Sequence, residues 1–119
     1  MTRTNSAVDD VQHLITEALS ATGHLPPPTR LIELDEQLRA EVKRLVDIVQ
    51  AKAAKAEPHS RSWHVLRTEL GRAGDALTTA LPQGPLAGSL HVAELARRAC
   101  ALRQAEGHPA SAAPPSGVA

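Results

Sequence analysis

Aromatic side chains are almost absent from this chain: Trp63 stands alone among 119 residues, with no Phe and no Tyr. The core must therefore be built from Leu, Val, Ile and Ala, which bury little area per residue. At ~25 cal/mol per Å² such a core is thin, and dimerisation is one remedy for it. A single cysteine, Cys100, excludes an internal disulfide and suits a reducing cytoplasm. No run of about 18 apolar residues occurs, so no membrane-spanning helix and no membrane partner are expected. The opening MTRTNSAVDD lacks the apolar stretch of a signal peptide. Neither sign of charge is in excess: 13 Lys and Arg face 13 Asp and Glu, for a formal net charge of zero. Such a chain lacks the global field that draws a protein to nucleic acid or an anionic bilayer. There is also no Gly-rich phosphate loop, no CxxC pair and no Ser-centred nucleophile motif.

What is present is helical periodicity. In LPPPTRLIELDEQLRAEVKRLVDIV, residues 25–49, a proline run stops one helix and launches another. The second carries Leu31, Leu34, Leu38, Val42, Leu45 and Val49 at steps of three and four, which places all six on one face. Ile32, Val46 and Ile48 form a second apolar edge beside that stripe. A face that wide predicts contact with two neighbours and makes this the central helix, running from about Thr29 to Glu57. Its end, AKAAKAE, has high helix propensity and little apolar bulk, and is expected to project past the core.

The remaining elements follow from the same pattern. A first helix begins near Ser6, with Val8, Val11, Ile15, Ala18 and Leu19 as its stripe and Gly23 as its stop. A third opens at Ser60 or Ser62 and carries Trp63, Leu66, Leu70, Ala73 and Leu77, a narrow coiled-coil-like seam. Gly71 and Gly74 lie within it, and a closely approaching partner backbone or a kink is the expected compensation for their cost of ~1 kcal/mol each. A fourth runs from Pro85 or Ser89 to Glu106, with Leu90, Val92, Leu95, Ala96, Ala99 and Leu102 inward. The expectation is an all-α domain over residues 6–107, an antiparallel four-helix bundle with a long second helix. Residues 1–5 are expected to be frayed and disordered, and the tail HPASAAPPSGVA, 108–119, small, proline-containing and nearly uncharged, cannot form a core and is expected to be disordered.

Candidate chemistry is sparse. His91 and Glu94 at i, i+3, and His13 and Glu17 at i, i+4, have metal-ligand spacing, but neither pair has matching ligands elsewhere. Solvated polar faces are the plainer reading, so no metal or cofactor is expected. Cys100 follows Arg97 and Arg98, and cations lower a thiol pKa. A nucleophile also needs a base and an oxyanion site, and His91 is more than two turns away; Cys100 is therefore read as a small core residue. Trp63 and His64 open the third helix, where Trp63 plugs one end of the bundle or anchors an interface or pocket. Arg67, Arg72, Arg97, Arg98 and Arg103 sit among acidic residues without a helix-turn-helix signature, which argues against nucleic acid.

The segment Leu25, Pro26, Pro27, then Leu31, Leu34, Leu38, Arg39, Val42, Leu45 and Val46, resembles the small helical proteins of actinobacteria, Streptomyces especially, that form a domain-of-unknown-function family and are often labelled natural product biosynthesis proteins. Trp63, the stretch Ala73 to Leu77, and His91, Val92, Leu95, Ala96, Arg97, Cys100, Ala101 and Leu102 are similar to later parts of the same pattern. The resemblance spans about residues 8–104 and departs from the pattern at AKAAKAE, residues 51–57. It implies an all-helical fold and no catalytic residues. The resulting expectation is a non-catalytic accessory or protein-interaction module, homodimeric or bound to another protein. Trp63, His64, Ile32, Val46, Ile48, His91 and Cys100 are its candidate interface or pocket residues. Two alternatives are a small-molecule binder or enzyme with a pocket near Trp63, and a nucleic-acid-binding regulator using the Arg face.

Overall fold

The structure, a computed structural model, describes residues 3–107, and side chains from Asp10 to Gly107. The expected disorder of the first two residues and of the tail 108–119 falls outside that range. Every described element is helical: α1 (Arg3–Leu19), α2 (Ala21–His24), α3 (Pro28–Lys55), α4 (Arg61–Thr78) and α5 (Pro85–Gly107). The first helix is already under way at Arg3, ahead of Ser6.

The turn after α1 is not made by glycine. Gly23 lies inside the single-turn α2, and the chain stops at Leu25, whose φ of 47° is left-handed and whose N–H donates to the Ala21 carbonyl at 2.7 Å. The prolines then act as expected. Pro27 is extended and Pro28 is the first residue of α3, where its missing N–H would have had no partner anyway. Ser60 caps α4 by accepting the Trp63 backbone N–H at 3.1 Å.

Helices α3 and α5 form the hub and run parallel. Gly88 packs on Leu31, His91 on Asp35, and Lys52 Nζ donates to the Glu106 carbonyl. Their close approach at the top depends on Gly88, where a methyl group would lie 3.0 Å from Leu31 Cδ1. Helix α4 runs antiparallel to both, with Leu77 beside Arg39 and Glu69 beside Arg98. Helices α1 and α2 cover α5 on another side. Among the described residues α1 and α4 share no contact, so the hub pair lies between them rather than within a closed ring of four.

The six-residue stripe of α3 is the core: Leu34, Leu38, Val42, Leu45 and Val49 are fully buried, and Leu31 nearly so. Ile15, Leu66, Val92, Leu95 and Leu102 fill in around it. Four expectations need correction. The AKAAKAE end does not project, since Ala53 and Ala56 are buried in the core. Gly71 and Gly74 face open space in an unbroken α4, so no close backbone compensates them. Leu90 is exposed because His91 and Leu95 turn the inner face of α5 to α3, and Leu90 sits outside that arc with Leu86 one turn before it. Leu19 is exposed because α1 ends there and the chain turns away into α2.

Candidate functional site

A buried polar node lies where α3, α5 and the end of α4 meet. Asp35 and His91 are both buried, and His91 Nε2 is 2.9 Å from Asp35 Oδ1. Arg39, one turn after Asp35, donates from Nε to both carboxylate oxygens at 3.0 and 3.1 Å. Its fork then reaches out of α3. Nη1 donates to the Leu77 carbonyl at 2.8 Å and Nη2 to the Thr79 carbonyl, while Nη2 also lies 3.2 Å from His91 Nε2. Leu77 and Thr79 belong to the end of α4, whose last carbonyls have no partner within their own helix. A single arginine thus satisfies a buried carboxylate and caps a neighbouring helix.

This arrangement holds the His91 ring between a carboxylate and a guanidinium. The partners of His91 Nε2 are a carboxylate and a guanidinium, and no hydroxyl or thiol joins them among the described residues. Cys100 is nine residues further along α5, about 13 Å at 1.5 Å per residue. It is half-buried against the core, as a small apolar residue would be. Ser89, fully buried on the first turns of α5, has a hydroxyl without a hydrogen-bond partner.

The pairs with metal spacing are otherwise engaged. Glu94 meets Arg97 at 3.2 Å and Arg98 at 3.1 Å, and Glu17 holds Arg30 through two bonds of 2.5 and 2.7 Å. Hydrogen bonding from Arg30 holds the Glu17 carboxyl below its ordinary range, and Glu17, with Glu33, raises the Arg30 guanidinium in turn. Glu41 does the same for Arg44. No group of three or more His, Cys, Asp or Glu placed to hold a metal occurs among the described residues. The Arg face is compensated in part: Arg72 and Arg98 share Glu69 at 3.6 and 3.5 Å, Arg97 meets Glu94, and Arg103 donates to the neutral Gln12.

Two surface features remain. At the start of α3, a cleft of about 300 Å³ is lined by Pro28, Leu31, Ile32, Leu81, Pro82, Gln83, Gly84 and Pro85. Gly84, at a φ of 98°, makes the turn that closes it, and Ile32 stands 48% exposed at its edge. Val46 and Ile48, its expected companions along α3, are half-buried instead, with Val46 packed on the core. At the opposite end of α3, Trp63 is half-buried against the core. The His59 ring is 4.8 Å away, the exposed His64 ring meets it edge-on at 4.9 Å, and Arg67 lies 5.6 Å over it. None of these residues lines the cleft beside Ile32.

Of the sequence candidates, the fold therefore brings Trp63 and His64 together, leaves Ile32 at a separate cleft, and places His91 in the core node. The partners of His91 were missed. Asp35 reads as the polar side of an amphipathic helix, and the available signal was its i, i+4 spacing to Arg39.

These features define a small protein, all-helical over the described residues, with an aliphatic core and a buried ion-paired node. No described helix is long and apolar enough to cross a membrane. The chain belongs to DUF6415, a family of unknown function whose sequence profile matches residues 9–110. Neither the curated proteins nor the solved structures contain a match.

Proposed function

We propose that this protein is a non-catalytic helical interaction module that pairs with a second copy of itself through the cleft at the start of α3. The observation that carries this reading is Ile32, a β-branched apolar side chain left half-exposed beside an apolar cleft of about 300 Å³. In a two-fold pair each copy would place its Ile32 in the other's cleft, since an isologous interface uses the same patch twice. Burying the exposed half of each side chain contributes ~0.7–1.5 kcal/mol. The cleft lining carries no charge and the chain is neutral, so no repulsion opposes approach. The three prolines of the lining hold the cleft in shape before binding, which limits the ordering cost.

The resemblance to actinobacterial helical proteins supports a cytoplasmic accessory role in natural product biosynthesis. Light scattering during gel filtration tests the pairing. The expected average mass at about 100 µM rises above the chain's 12.6 kDa toward twice that value, and it rises with concentration. Ile32→Glu returns the single-chain mass with helicity unchanged. A single-chain mass for both proteins overturns the pairing.

A further inference from the structure

We infer that the corner around Trp63 docks an acidic segment of another protein. This surface lies at the far end of α3 from the Ile32 cleft and does not depend on it. Residues 58–68, PHSRSWHVLRT, hold two Arg and two His and no acid, a local excess of cations in a chain that is neutral as a whole. Most arginines of the protein are already compensated: Arg30, Arg39, Arg44, Arg72, Arg97 and Arg98 each meet a carboxylate. Arg61 and Arg67 meet none among the described residues, and both are exposed. They flank the one aromatic side chain of the protein. Glu57 and Glu69 bracket the segment, and Glu69 is taken up by Arg72 and Arg98.

Trp63 is also prepared to act as an anchor. Its ring is seated on the core and touched by His59, His64 and Arg67, so little side-chain freedom remains to be lost on binding. Trp and Arg are the residue types that carry most interface energy, and a surface of uncompensated cations selects a partner of opposite sign. An acidic peptide fits better than nucleic acid. A base would need a free aromatic face to stack on, whereas Arg67 already lies over the Trp63 ring. A neutral chain also lacks the broad basic footprint that gives phosphate-backbone binding its strength.

The test uses the full chain, with Trp63 as its only Trp fluorophore. It is titrated with a blocked peptide of roughly 12 residues repeating Glu-Glu-Leu, with its Lys-Lys-Leu counterpart, and with a single-stranded oligouridylate of similar length. The expected result is a saturable change in Trp63 emission with the acidic peptide alone. That affinity should fall about tenfold or more from about 50 to about 500 mM salt. Arg61→Glu, at an exposed side chain that pairs with no carboxylate among the described residues, should weaken binding by about tenfold or more, with the circular dichroism unchanged. Arg67→Glu provides a second variant on the other flank. The inference is overturned by the absence of a saturable response, by an equal response to the basic peptide, by undiminished affinity in both variants, or by tighter binding of the oligouridylate.

Discussion

Arg39 joins more of the molecule than any other side chain: it pairs with Asp35, lies against His91 and holds the last carbonyls of α4. Arg39→Ala leaves a buried carboxylate without its cation and frees those carbonyls, and is expected to cost ~2–4 kcal/mol in urea unfolding. Arg39→Lys should recover little, because an ammonium cannot serve the carboxylate and two carbonyls at fixed fork geometry. Ser89 makes the opposite case. Its buried hydroxyl lacks a partner, so Ser89→Ala should raise stability by about 1 kcal/mol in the same assay. Glu17 carries the acid sensitivity. Its folded pKa lies below the ordinary value near 4.3 through bonding to Arg30, so its contribution is full above that value and is lost as pH falls through the folded pKa. Both side chains are about one-third exposed, which limits the effect to ~0.5–1 kcal/mol. Glu17→Gln should remove that part of the acid dependence, seen as a flatter plot of unfolding free energy between neutral pH and pH 4 or below.

At the scale of elements, α4 is weaker than its length suggests. Gly71 and Gly74 sit in an unbroken helix with open space where their Cβ atoms would be. Replacing each by Ala should stabilise the protein by ~0.5–1 kcal/mol, roughly additively, as an upward shift of the thermal midpoint. A loss would mean that a partner packs on that face. The helices themselves were legible because apolar spacing is a local property: the α3 stripe from Leu31 to Val49 is buried as its steps of three and four require. Features that depend on a neighbour were not legible. The burial of Asp35 needs the position of α5, and the outward turn of Leu90 follows from how α5 docks on α3. The stop at Leu25 replaced Gly23 because the chain makes a separate turn of helix after Ser20, which no residue type announces. The reach of Arg39 to α4 spans 38 and 40 residues, beyond any sequence window.

At the scale of the molecule, an aliphatic core with one half-buried Trp is closed at its centre and open at its two ends. One end offers the Ile32 cleft, which is apolar and uncharged; the other offers Trp63 among cations without carboxylate partners. The two surfaces differ in chemistry, so they suit different partners and can be occupied together. The buried Asp35–Arg39–His91 node ties α3, α4 and α5 together near that cleft. The proposed pairing through the cleft would add buried apolar area, so the thermal midpoint should rise with protein concentration in the parent and stay constant in Ile32→Glu.

The most direct test of self-pairing is an amide chemical-shift dilution series on the isotope-labelled full chain. The account predicts concentration-dependent shifts concentrated at Leu31, Ile32, Leu81, Gln83 and Gly84, the cleft residues that carry a backbone N–H. Those shifts should be abolished by Ile32→Glu. Shifts that are absent over the full concentration range, or that map to another face of the molecule, would contradict it.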